Sequence, residues 1–121
     1  MIPFGVRAED IKQHIASRVE SWRIDSSTML SIVKAESEFN PNAVNYNCIY
    51  NGVSKPCKKE DRPKAWSVDC GLFQINKKLP KCPAYLFDID INISQAMNLY
   101  FERGFQPWHS SINMWISEDN A

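Results

Sequence analysis

Helical periodicity stops at Asn40-Pro41 and does not return until after Pro83, and this break sits inside a chain of only 121 residues. A chain of that length buries roughly two-thirds of its unfolded surface around one core. The irregular stretch is therefore expected to share a single domain, residues 1–121, with the helices on either side of it. Long irregular segments in compact domains carry function or cross-links. This one holds all four cysteines: Cys48, Cys57, Cys70 and Cys82.

Four cysteines allow three pairings, and the sequence does not choose between them. The most local is 48–57 with 70–82. Each bridge would close a loop of ten to thirteen residues, worth roughly 2–3 kcal/mol on the chain-entropy account, and would pin the segment that lacks helical order. The spacings of nine, thirteen and twelve are wider than the ligand pairs of common zinc sites. Disulfides are the preferred reading, ahead of reduced thiols and of a metal site.

The flanks read as helices. Ile11, Ile15, Val19 and Trp22 recur at helical spacing across residues 10–22, with Glu9 and Asp10 placed to complement the helix dipole. Ser26 and Ser27 are N-cap candidates for a second helix carrying Met29, Leu30, Ile32 and Val33. Asn40-Pro41 ends it, because the residue before proline disfavours helical dihedrals. Asn92 or Ser94 opens a third helix through Ile93, Ala96, Met97, Tyr100 and Phe101, stopped by Gly104. A short Trp-rich helix over 109–117 closes the domain. The middle, from Asn42 to Pro83, is expected to form a small hairpin or loops.

Composition narrows the class. With 44% hydrophobic and 23% charged residues, disorder and coiled coil fail. Net charge is zero, so no global field argues for a polyanionic partner such as duplex DNA. Eight of the fourteen basic residues lie between Lys55 and Lys81, which reads as a solvated face or as a local attraction to an anionic surface such as a bacterial wall. No run of about eighteen apolar residues occurs, and MIPFGVRAEDIKQ has no apolar h-region. Neither a membrane span nor a secretory leader is expected. Export would then depend on lysis, on delivery in a larger particle, or on a leader lost from this chain.

One carboxylate stands out. Glu36 follows Met29 by seven residues, Ile32 by four and Val33 by three, which places it within 60° of the apolar stripe of its helix. Burial and the negative end of the helix dipole at Phe39-Asn40 would both penalise its ionised form and raise its pKa, as a general acid requires. On spacing alone the alternative is a helix-end Glu that reaches out to water.

The words around it settle more. AESEFNPNAVNYN followed by SVDCGLFQIN resembles the paired signatures of lysozyme-like muramidases. In soluble lytic transglycosylases and chicken-type lysozymes, a Glu-Ser pair at a helix end precedes a Phe-Asn step and, later, a Gly-Leu/Ile-x-Gln-Ile-Asn segment. The resemblance covers residues 26–47 and 67–76 closely and 88–115 loosely. It is nearest to small transglycosylases of phage tails and secretion systems, which share the Ser-Val-Asp-x-Gly opening. The region PWHSSINMW departs from the larger transglycosylases, whose Ala-Tyr-Asn motif is absent, so the lining of the muramyl subsite is unassigned.

The resemblance implies that Glu36 protonates the glycosidic oxygen between N-acetylmuramic acid and N-acetylglucosamine. Asp69 occupies the place of the second carboxylate of chicken-type lysozymes, with a turn-capping role as the alternative. In those lysozymes the two segments are nearer, whereas 33 residues separate Glu36 from Asp69 here. Ser37, Asn47, Gln74, Asn76 and Trp108 are the implied substrate-binding residues. Ser37 and Phe39 would also hold the helix end. If residues 73–76 are extended, Gln74 and Asn76 share one face and Phe73 and Ile75 the other; loop capping is the alternative for the two amides. Trp108 would desolvate Glu36 and stack on sugar, or simply pack the core. His109 reads as a surface residue or as support behind the site.

These readings give an α+β, lysozyme-like fold, mainly helical with a small β or irregular lobe. The expected activity is peptidoglycan cleavage as a lytic transglycosylase forming 1,6-anhydro ends, with a retaining lysozyme using Glu36 and Asp69 as the alternative. The resemblance implies peptidoglycan glycan strands as partner, no nucleic acid or membrane partner, no cofactor and no metal. It further implies a monomer as an isolated domain, or a part of a larger phage or secretion assembly, acting at the bacterial wall or periplasm. Rivals of another class are an inactive lysozyme-like module that binds glycan or protein, and a disulfide- or zinc-stapled interaction domain.

Overall fold

A computed structural model describes residues 8–119; the reading of residues 1–7 as leaderless lies outside them. Helix α1 spans Ala8–Ser21, with Glu9 and Asp10 in its first turn. Its stripe Ile11, Ile15 and Val19 is buried. Trp22, just past the helix, stacks on Phe101 with ring centroids 5.9 Å apart. Helix α2, Ser26–Ser37, buries Met29, Ile32 and Val33. Its N-cap is Asp25 rather than either serine; Ser27 donates its hydroxyl proton to the Asp25 carboxylate instead.

Helix α2 ends earlier than Asn40-Pro41 suggests. Glu38 and Phe39 both take left-handed dihedrals, with φ of 52° and 63°. The Glu38 N–H closes the last turn on Lys34 O at 3.1 Å, and the Asn40 N–H returns to Ser37 O at 3.0 Å. Phe39 packs against the core, so the tertiary contact reverses the chain before the proline has any effect.

The middle of the chain forms a four-stranded antiparallel sheet. Its strands are β1 (Val44–Tyr50), β2 (Val53–Pro56), β3 (Ser67–Cys70) and β4 (Ile75–Lys77), in the order β2-β1-β3-β4. Asn51-Gly52 joins β1 to β2 with φ of 52° and 77°, the positive pair that a tight two-residue hairpin needs. A 3₁₀ turn over Lys59–Lys64 returns the chain to β3. All four cysteines are bridged, Cys48 to Cys57 and Cys70 to Cys82. This is the most local of the three pairings, and it leaves no thiolate for zinc.

Helix α3 runs Ile89–Arg103, starting three residues before the expected Asn92. Asp88 is the cap, its Oδ1 accepting the Ile91 N–H at 3.0 Å. Gly104 ends the helix with φ of 60° and donates its N–H to Tyr100 O. The expected helix over 109–117 splits into a 3₁₀ segment, Gln106–Ser111, with Pro107 at its start, and α4, Ile112–Asp119. Among the described residues no helix is long and apolar enough to cross a membrane.

Asn92, freed from capping, ties the two halves together. It is 1% exposed and lies on α3. Its Nδ2 donates to Cys70 O at 3.0 Å and to Leu86 O at 2.9 Å, and its Oδ1 accepts the Phe73 N–H at 2.9 Å. The turn it grips begins at Gly71, where φ is +73° and an added Cβ would lie 2.4 Å from Asn92 Nδ2 and 2.5 Å from Leu86 O. Only glycine satisfies both the dihedral and the close approach.

Two substitutions test this junction by denaturant unfolding. Gly71→Ala is expected to cost about 2–4 kcal/mol from strain and overlap. Asn92→Ala should cost about 3 kcal/mol, because it strands buried backbone groups without partners. A loss below about 0.5 kcal/mol, the range of ordinary surface changes, would show that the turn relaxes without the amide.

Candidate active site

Glu36 sits in the last turn of α2, one residue before the helix ends. It is half-buried at one wall of a cleft of about 470 Å³. Asp69, Gln74 and Asn76 come from the β3–β4 hairpin, and Trp108 from the 3₁₀ segment. The same cleft is lined by Lys78 past β4 and by Leu99 and Arg103 at the end of α3.

Sheet pairing explains how Asp69 arrives although 33 residues separate it from Glu36. Strand β1 starts at Val44, soon after α2, and pairs directly with β3, with Asn45 opposite Asp69 and Asn47 opposite Ser67. Residues 48–66 loop out beyond that pairing and do not come between the two acids. On the other side Asp69 faces Asn76 of β4. The pleat therefore sets Asp69, Asn45, Asn47 and Asn76 on one face of the sheet.

Asp69 is held on both oxygens. Asn76 Nδ2 donates to Oδ1 at 2.9 Å and Asn47 Nδ2 to Oδ2 at 3.1 Å. Asn47 Nδ2 also reaches Ser67 Oγ at 3.0 Å. Lys78 Nζ donates to Asn76 Oδ1 at 2.7 Å, so the amide of Asn76 is polarised toward the carboxylate.

Burial pushes the Glu36 carboxyl above the ordinary carboxylate range, a hydrogen bond from Ser111 pulls it partway back, and the charge of Asp69 in the same cleft raises it again. Burial is the largest of the three. The neutral, proton-bearing form of Glu36 is thus favoured beyond what a solvated glutamate shows.

Five of the seven site residues expected from sequence line the cleft: Glu36, Asp69, Gln74, Asn76 and Trp108. Ser37 does not; its buried hydroxyl donates to Val33 O at 3.2 Å and fastens the helix end. Asn47 stands behind Asp69 rather than at the surface of the cleft. The extended reading of residues 73–76 holds only from Ile75 onward. Gln74 has φ of 51° and is buried. Its Nε2 donates to Gly71 O at 3.0 Å, and its Oε1 accepts from Asn45 Nδ2 at 2.6 Å. Asn76, in β4, is exposed.

Trp108 is 1% exposed, its indole N–H donating to Phe73 O at 2.9 Å, so it packs as cleft floor and core together. His109 is exposed. Sequence reasoning missed Lys78, Arg103 and Ser111. Arg103 follows Leu99 by four residues, a helical repeat that marks one face of α3. Ser111 follows Trp108 by three, the spacing of a 3₁₀ turn, and its hydroxyl reaches Trp108 O at 3.1 Å.

Comparison with known proteins agrees with this geometry. A family model described as the transglycosylase SLT domain matches residues 13–99, from α1 through most of α3, and so includes Glu36 and the whole sheet. None of the curated proteins matches the chain. A half-buried acid at a helix end, an asparagine-lined sheet face and a helical core around them fit that family's lysozyme-like α+β fold. The chain belongs to the transglycosylase SLT domain family and is a peptidoglycan lytic transglycosylase enzyme.

Proposed function

We propose that the cleft cuts the β-1,4 bond between N-acetylmuramic acid and N-acetylglucosamine, with Glu36 acting first as acid and then as base. The observation that carries this reading is Glu36 half-buried in a cleft of about 470 Å³ that also holds Asp69, where burial raises its pKa. The protonated carboxyl gives its proton to the bridging oxygen as the bond from C1 to that oxygen breaks. Positive charge develops at C1. The carboxylate then takes the proton of the muramyl C6 hydroxyl as that oxygen bonds to C1. A 1,6-anhydro ring results, Glu36 regains its proton, and no water is consumed.

Around that step each residue has a part. Asp69, held by two amides, supplies negative charge near C1 without needing to bond to it. Asn76 contacts sugar from its exposed place in β4. Gln74, Ser37 and Asn47 act as positioning residues, because they are buried or half-buried, unlike Asn76, and their amide or hydroxyl groups are engaged with the protein. Trp108 forms a dry floor under Glu36. One catalytic domain over residues 1–121 suffices for this chemistry. A role in opening the wall for a phage or a secretion apparatus rests on the SVDCG opening of the second motif alone.

A second reading, a retaining hydrolase, is favoured by one observation: Asp69 shares the cleft with Glu36 closely enough to raise its pKa. Mass spectrometry of muropeptides released from purified walls separates the two. Anhydro ends, one water lighter than reducing ends, are the expected product. Reducing ends formed from the outset would assign Asp69 the covalent role instead.

Glu36→Gln should lower kcat by about 10²–10⁴, the usual contribution of a positioned acid. Its unfolding midpoint at neutral pH should be no lower than that of the parent, since the amide removes a desolvated charge. Undiminished release of muropeptides by this variant would remove Glu36 from the mechanism.

The pH profile gives an independent check. Activity falls on the alkaline side as Glu36 loses its proton, and this limb is expected above the ordinary glutamate range. Asp69→Asn removes a like charge and should move the limb to lower pH, whereas Ser111→Ala removes a donor to the ionised form and should move it higher. A limb unmoved in both variants would belong to some other group.

A further inference from the structure

The cleft carries two cations that take no direct part in bond cleavage. Lys78 lies just beyond β4 and Arg103 at the last residue of α3, and both line the space that holds Glu36. Among the described residues neither has a carboxylate within salt-bridge distance; Asp90, elsewhere on the surface, pairs with His14 and Arg18 instead.

Lys78 is fixed in place. Its Nζ donates to Asn76 Oδ1 at 2.7 Å and lies 4.5 Å from the centre of the Trp66 ring. That indole is itself anchored, its N–H donating to Ser54 Oγ at 3.0 Å. An ammonium has three donors, and Asn76 takes one, so the others remain to meet a ligand at the rim. The basic cluster between Lys55 and Lys81 thus sends one well-anchored member into the cleft.

The sugars of a glycan strand are polyhydroxylated and give a cation only weak partners. The muramyl residue, however, carries a peptide stem that bears free carboxylates. We infer that Lys78 and Arg103 form a subsite for the anionic peptide stem of the muramyl residue, so that this enzyme favours strands whose stems keep their carboxylates free. The inference rests on the wall-cleaving reading above and adds a determinant of which wall is cleaved. Ion pairs at an exposed rim contribute modestly and are weakened by salt, so the preference should appear in KM and not in kcat.

The test uses one preparation of purified glycan strands, half of it treated with carbodiimide and ammonia to convert stem carboxylates to amides of nearly the same shape. For the parent enzyme, KM on the amidated strands should be about four- to twenty-fivefold higher than on the acid strands at low salt, each of the two exposed ion pairs giving a factor of about two to five. Kcat should be similar on both, and the KM ratio should shrink in high salt.

The double variant Lys78→Gln, Arg103→Gln should bring the ratio close to one, while Lys78→Arg should retain it. Any effect transmitted through Asn76 to Asp69 acts on both substrates and cancels in the ratio. A parent ratio of one, or a ratio unchanged in the double variant, overturns the subsite while leaving the cleavage reading intact. A parent enzyme that releases no muropeptides from either preparation overturns the cleavage reading, and the subsite with it.

Discussion

The buried amide of Asn92 is the contact on which the rest of the site depends. It bonds three backbone groups on two other segments at once, Cys70 O, Leu86 O and the Phe73 N–H. At 1% exposure no water replaces any of these bonds. Without it, the turn from Gly71 to Gln74 would carry buried polar groups with no partners, which costs more than the bonds themselves stabilise. That turn fixes where β4 departs from β3, and so where Asn76 faces Asp69. The Cys70–Cys82 bridge ties the same turn to the approach of α3, so a covalent link and an amide hold one junction from adjacent residues.

The electrostatics of Glu36 follow from what surrounds a single proton. Burial and the Asp69 charge favour the neutral carboxyl, and Ser111 favours the ionised one. Ser111 has one hydroxyl proton, and Trp108 O already stands 3.1 Å away to accept it. While Glu36 is protonated, the serine can keep that bond and accept from the carboxyl. On the proposed mechanism, once Glu36 has given up its proton, turning the serine proton from Trp108 O toward the new carboxylate would stabilise the ionised form. The backbone carbonyl, which has a second partner in the Trp115 indole N–H at 3.2 Å, is not left bare by the exchange. The site can therefore lose and regain a proton without exposing a buried acceptor.

Much of this was legible in the sequence, and the misses share a cause. Spacing allows the inward place of Glu36 and only the motif around it favours it, whereas the helical stripes of α1 and α2 and the stop at Gly104 follow from local periodicity and backbone freedom, which neighbouring residues carry in full. The exact ends of helices did not. The start of α3 was displaced because Asn92 resembles a cap in sequence, yet Asp88 caps the helix and Asn92 binds a turn 19 residues away. Alternation leaves Gln74 either on an extended strand or capping a loop, and its φ of 51° with hydrogen bonds to Asn45 and Gly71 is the loop-capping outcome. Long-range partners decide such residues, and spacing along the chain does not reveal them. Asn51-Gly52, by contrast, is a readable hairpin signal that places the small hairpin expected in this stretch between β1 and β2.

The separation between Glu36 and Asp69 shows why sequence distance is a poor guide to a site. Strand pairing measures distance by register: once Asn45 lies opposite Asp69, the inserted residues add length to a lobe without moving the carboxylate. The Cys48–Cys57 bridge closes that lobe on itself, beyond the segment of β1 that pairs with β3. The lobe also supplies Trp66, which places Lys78 at the rim. The insertion that makes the second acid hard to locate from sequence thus touches the cleft indirectly, through the indole against which Lys78 rests.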